Sequence, residues 1–224
     1  MKKIFLCTIA ILFAIASFAQ ASFGIKASLN DANQRLHASG NGLSAGNSGS
    51  SIISFQVGGF ADIPISRNFN FNPELLLSGE GANFNDNVGG ETLKPRLYYL
   101  RIPLNFLYET PIPRTESKFF IGAGPDFGFG LFGKTNAGGM QTNSFQDSLF
   151  KRFDFGLNFI GGIEVGSGFR FSINYNLGLS SIIGSIFSDA LIAQTGGEVS
   201  SFQWKNNVLS FSIGYVINKD RREK

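Results

Sequence analysis

Cysteine is all but missing from these 224 residues. The single one, Cys7, sits in an apolar N-terminal run, so the rest of the chain forms no disulfide and offers no thiol ligand or nucleophile. Histidine is as scarce: His37 stands alone among Ala, Ser and Gly with no motif around it. A hydrolase that pairs serine with a histidine base lacks its base in any recognisable setting, and a metal site would have only scattered carboxylates. No enzyme, metal or cofactor is therefore expected. Charged residues make up 16%, and no stretch beyond the N-terminal run is long and apolar enough to read as a spanning helix.

The N-terminal run itself has the grammar of an export signal. Met1-Lys2-Lys3 is positive, Ile4 to Ala16 is almost unbroken apolar, and Ser17-Phe18-Ala19 has the small-x-small pattern that signal peptidase reads, as does Ala19-Gln20-Ala21. A cut near Ala19 divides the chain into a signal peptide, 1–19, and one domain, 20–224. The cut removes two lysines and no acid, so the formal charge of +3 falls almost to neutrality. The basic pI of about 9.0 then implies no nucleic-acid partner. Cys7 leaves with the signal, too far from the cut to carry a lipid.

What the chain does have is 28 Gly, 25 Phe and a hydrophobic period of two. Phe169, Phe171, Ile173, Tyr175 and Leu177 alternate with Arg170, Ser172, Asn174 and Asn176. Leu209, Phe211, Ile213, Tyr215 and Ile217 alternate with small and polar residues in the same way. Eight such segments are predicted: Phe23–Asn30, Ser51–Ile63, Phe69–Ala82, Lys94–Thr110, Lys118–Phe132, Lys151–Val165, Phe169–Leu179 and Trp204–Asn218. The connections alternate in length. Asp31–Ser50, Asn83–Leu93, Gly133–Phe150 and Ser180–Gln203 are long and polar, whereas Pro64–Asn68, Pro111–Ser117 and Gly166–Gly168 are short. That asymmetry belongs to up-and-down barrels that cross an outer membrane, with long loops outside and short turns in the periplasm.

Alternation alone does not say which face is inward; bulk does. An eight-stranded barrel is just wide enough for its interior side chains to fill, and a lining of Phe155, Phe159, Phe169 and Phe171 would overfill it. The Gly, Ser and Asn face therefore points inward and the apolar face outward, to lipid. The alternative, a soluble lipocalin-like binder, reverses both. Tyr108 and Tyr215 are expected in the periplasmic aromatic girdle, and Tyr98 and Trp204 in the outer one.

Gly24-Ile25-Lys26-Ala27-Ser28-Leu29-Asn30 resembles the opening strand of the PorT-like outer-membrane β-barrel proteins of Bacteroidetes-type bacteria, and the resemblance extends from about Phe23 to Asn218. Tyr99-Leu100-Arg101-Ile102-Pro103-Leu104 and Phe119-Phe120-Ile121-Gly122-Ala123-Gly124-Pro125 resemble its middle strands. Ser28 departs from a position where many relatives have glycine. The resemblance implies an all-β, eight-stranded antiparallel transmembrane barrel in the cell outer membrane, surrounded by outer-membrane lipid. It carries over no catalytic or binding residue.

With the apolar face outward, the inward charges are Lys26, Asp62, Glu74, Glu80, Arg101, Asp126, Arg152, Asp154, Glu164 and Arg170. Both signs occur, so a salt-bridge network filling the lumen is expected, with a charged constriction for ions or small solutes as the sharper alternative. The glycines at 122, 124, 128 and 130 share a strand face with Asp126 and read as small inward residues, not as a phosphate loop, which needs a following helix. Ile182, Ile183, Ile186, Phe187, Ala190 and Leu191 approach helical spacing within Ser181–Gln194, a short helix placed as a local lid or partner surface. The tail Lys219-Asp220-Arg221-Arg222-Glu223-Lys224 is expected to be solvated or to meet a periplasmic protein. These readings converge on a structural or interaction barrel. Channel, solute-binding barrel and membrane enzyme are the competing classes.

Overall fold

The apolar/polar alternation folds into a single ring of strands. In the computed structural model, residues 21–41, 43–85, 92–147, 149–194 and 198–217 are described; the apolar N-terminal run and the charged tail Lys219–Lys224 lie outside them. Among the described residues the strands are β1 (Ser22–Gly40), β2 (Leu43–Ser48), β3 (Ile52–Pro64), β4 (Phe69–Gly81), β5 (Phe84–Asn85), β6 (Thr92–Pro111), β7 (Lys118–Ala137), β8 (Met140–Asn143), β9 (Phe153–Glu164), β10 (Phe169–Gly178) and β11 (Ser201–Val216), and the helix is α1 (Ser185–Gln194). Eight of these, β1, β3, β4, β6, β7, β9, β10 and β11, pair antiparallel in chain order. The ring closes where β1 meets β11, from Gly24 opposite Val216 to Ser39 opposite Ser201. Closure leaves no sheet edge in the barrel wall, which lipid requires.

The remaining strands β2, β5 and β8 pair only with β1, β6 and β7 at the long-loop end. At the opposite end three tight turns join the wall strands. In the last of them the Val165 amide donates to the Phe169 carbonyl, and Gly168 takes a left-handed φ of 89° that a side chain would oppose.

β1 runs ten residues past its predicted end at Asn30. The outward face of β1 is Phe23, Ile25, Ala27 and Leu29, and then Asp31, Asn33, Arg35 and His37. Past Leu29 the outward face turns polar, so the hydrophobic period vanishes while backbone pairing continues; inward, Ala32 is buried and Leu36 packs against the apolar cluster at the outer mouth. His37 is exposed there, opposite Gly46 and Gln203. The helix starts at Ser185, after Ile182 and Ile183, which are buried and lie outside it.

The outward band is apolar and exposed. On β6 it runs from Tyr98 through Ile102 and Phe106 to Tyr108. Ten residues of tilted strand rise roughly 25 Å, the height of the apolar band of an outer-membrane barrel. Tyr98, Tyr108 and Tyr215 occupy its two borders as expected. Trp204 does not: it is 3% exposed and points inward, donating from Nε1 to Gln34 Oε1 at 3.0 Å. Its parity, shared with Ser210 and Ser212, outweighs the aromatic preference for girdles.

Aromatics do enter the lumen at both ends, against the expectation from bulk. Near the periplasm Phe60 and Phe120 are buried; at the outer mouth Leu97, Tyr99, Phe145, Phe150, Ile182, Ile183 and Trp204 form one apolar cluster. Glycine on the facing strand makes the room. A Cβ on Gly24 would lie 2.2 Å from the Phe60 ring, and one on Gly130 would lie 2.4 Å from that of Phe145.

Candidate functional site in the barrel lumen

The strand period places every second side chain inside, and in this chain those side chains are Asn, Ser and charges. Nine of the predicted inward charges, Lys26, Asp62, Glu74, Glu80, Arg101, Asp126, Asp154, Glu164 and Arg170, are each 5% exposed or less. Arg152 is not among them. It stands one residue before β9, its carbonyl accepting from the Gly130 amide, and is only half-buried; its guanidinium lies 5.4 Å from the Phe145 ring centre and donates to the carbonyls of Gly130 and Leu131.

Three layers form. In the outermost, Arg101 on β6 faces three carboxylates from three other strands. Its Nε and Nη2 grip both oxygens of Glu80 at 2.7 Å, Nη1 donates to Asp126 at 2.9 Å, and Nη2 also donates to Asp154 at 2.6 Å. Asn176, Ser180 and Asn206 donate to Asp126 or Asp154. The guanidinium lies 5.0 Å from the centre of the Tyr99 ring, an added cation–π contact. A planar fork with five donors suits this site, and a lysine could not satisfy it.

The middle layer pairs the Lys26 ammonium with Glu74 at 2.5 Å and carries Asn72, Asn105 and Asn158 hydrogen-bonded in series. In the innermost layer Arg170 bonds Asp62 at 2.6 Å and Glu164 at 3.1 Å between the rings of Phe60 and Phe120. Lys118 bridges Glu109 at 2.7 Å and Glu164 at 3.5 Å. Glu109 and Lys118 escaped sequence reasoning because they lie beside a turn. Carrying the parity of β6 and β7 to the strand ends would have found them.

These layers leave little space. The void lined by Lys26, Glu74, Glu80, Arg101, Asp126 and Asn158 has a volume of about 20 Å³, near that of one water molecule. Gly128 sets the position of the key cation, since a Cβ there would lie 2.8 Å from Arg101 Nη1. Gly128→Val is expected to destabilise the barrel by about 1–3 kcal/mol through overpacking, read as a lower midpoint temperature for loss of the compact gel species. An unchanged midpoint would mean that Arg101 has room to move.

His37, exposed outside the wall, approaches none of these layers, and among the described residues no group of three or more His, Cys, Asp or Glu has metal-binding geometry.

A family model described as "Outer membrane protein beta-barrel domain" matches residues 18–184. Among solved structures, the chain is similar to Neisserial surface protein A at 14% identity and a TM-score of 0.43, with 87% of this chain and 97% of that chain covered. It is similar to OprG from Pseudomonas aeruginosa at 11% identity and a TM-score of 0.46, covering 88% and 97%. Ail, the attachment invasion locus protein of Yersinia pestis, gives 12% identity, a TM-score of 0.39 and coverage of 88% and 97%. No curated protein matches.

Proposed function

The chain belongs to the outer membrane protein beta-barrel domain family, and from that premise we propose that it is a structural or interaction barrel of the outer membrane, closed to solutes and without catalytic activity. One observation carries the reading: the Arg101 layer spans the lumen with four charged groups bonded to one another, beside a void of only about 20 Å³. A hydrated ion needs a wider path, and a constriction that conducts must bind its ion weakly. The apolar cluster around Trp204 adds a second seal at the outer mouth.

The same reading includes removal of a signal peptide near Ala19 and a place among PorT-like barrels of Bacteroidetes-type bacteria. The support is the leader sequence and the strand motifs at Gly24–Asn30 and Tyr99–Leu104. Partners, in this view, are outer-membrane lipid and a protein met through the outer loops or the charged tail.

In planar bilayers the purified protein is expected to give no reproducible conductance steps. Deleting 182–193 removes Ile182 and Ile183 from the outer cluster yet should leave a barrel that shifts on a gel when boiled and still does not conduct, because the Arg101 layer remains. Steps in the wild type that change with Arg101 would favour the channel, and loss of assembly on deletion would count against the lid.

A further inference from the structure

Above the apolar band, on the outside of the wall, β6 and β7 carry a second charge cluster that the lumen does not use. β6 continues its lipid-facing row past Tyr98 with Arg96 and Lys94. β7 has an extra residue at Leu131, since Tyr98 pairs with Phe132 and Tyr99 with Gly130. That bulge turns Phe132, Lys134 and Asn136 onto the same outward face. Lys134 therefore stands directly opposite Arg96. Like charges in register across a strand pair are destabilising. β8 extends this face with Asn143 beside Lys134 and Gln141 beside Asn136.

The concavity here has a volume of about 600 Å³ and is lined by Lys94, Arg96, Lys134 and Arg152, with no carboxylate among the described residues of its lining. Both arginines are fastened to neutral acceptors: Arg96 to the Ala82 and Pro95 carbonyls and the Asn83 side chain, Arg152 to the Gly130 and Leu131 carbonyls. Among the described residues none of the four has an acid within ion-pair distance. Beneath them Tyr98 and Phe132 stack at 4.7 Å, both exposed.

We propose that this face is a binding site for a phosphorylated glycolipid of the outer leaflet, its phosphates on Lys94, Arg96 and Lys134 and its acyl chains on the Tyr98–Phe132 stack and the apolar wall below. The inference rests on the reading of the wall as lipid-facing. Four cations with no counter-charge among the described residues, one pair of them in register, call for an anion. The aromatic floor continues into the acyl region, so that anion carries apolar chains. A soluble anion would satisfy the charges and leave the floor unused.

Native mass spectrometry of the full mature chain, released from detergent micelles, tests this with bisphosphorylated lipid A, the same lipid stripped of phosphate, and inorganic phosphate. Lys94→Gln/Lys134→Gln is the variant of choice, because Arg96 and Arg152 also hold backbone carbonyls. Both proteins are first shown to shift on a gel when boiled; a wild type that does not shift defeats the barrel reading itself. Wild type is expected to retain bisphosphorylated lipid A at least ten-fold better than the stripped lipid, and at least ten-fold better than the variant does. Equal retention in either comparison would overturn the site. Displacement of lipid A by millimolar inorganic phosphate would overturn its assignment to a lipid.

Discussion

Arg101→Met is expected to lower barrel stability by about 3–5 kcal/mol, the usual consequence of removing one partner from a buried charge cluster. Arg101 makes four hydrogen bonds to Glu80, Asp126 and Asp154, all 3% exposed or less. Without the guanidinium these three carboxylates repel one another where water cannot screen them. The damage is electrostatic, so it should be reversible by chemistry alone. Arg101→Met combined with Glu80→Gln, Asp126→Asn and Asp154→Asn is expected to recover most of the loss, since neutral replacement of a whole buried network is often tolerated. Urea unfolding in lipid vesicles, followed by the fluorescence of inward-facing Trp204, measures both. If Arg101→Met costs less than about 1 kcal/mol, or if the neutral quadruple variant is no better than the single one, charge pairing does not hold this layer.

Ile102→Arg is the second large effect, and it tests which solvent the wall meets. Ile102 is 38% exposed and lies midway between the border residues Tyr98 and Tyr108 on the outward face of β6. At the midplane of a bilayer an arginine on the lipid face costs about 2–4 kcal/mol, falling to about 0–1 kcal/mol near the interface. Tyr108→Arg, at the border, should therefore cost much less than Ile102→Arg in the same vesicles. In water the two substitutions would differ little, because both side chains would already be solvated. Equal and small effects would mean that the apolar wall is covered by protein, not by lipid.

Most of the wall was legible in the sequence because lipid and lumen impose opposite demands on alternate residues. Phe169–Leu177 and Leu209–Ile217 show it without any structure: one parity apolar, the other Ser, Asn and Arg. That contrast depends on a boundary between two solvents, and it fails where the boundary ends. Beyond Asn30 the outward face of β1 is polar, and the accessory strands β2, β5 and β8 are only six, two and four residues long, so their pairing left no hydrophobic period. Arg152 stays out of the buried network for a related reason: at the rim it is only half-buried, and its guanidinium turns to the Gly130 and Leu131 carbonyls. Trp204 was misplaced when residue type was allowed to override parity. Glu109 and Lys118 were missed although their parity was correct, because both stand beside a short turn.

The sequence by itself determined the period, the strand number, the outward apolar band and the inward parity of nine charges, each a local property of consecutive residues. Tertiary structure decided who meets whom. Arg101 joins Glu80, Asp126 and Asp154 because ring closure brings four strands around one point, and residues far apart in the chain have no local pattern to announce it. The aromatics admitted to the lumen opposite glycine, and the basic face exposed by a single extra residue at Leu131, come from register across strands. Register is set by side chains fitting one another in space, and alternation along one strand is the same for any even shift of its neighbour.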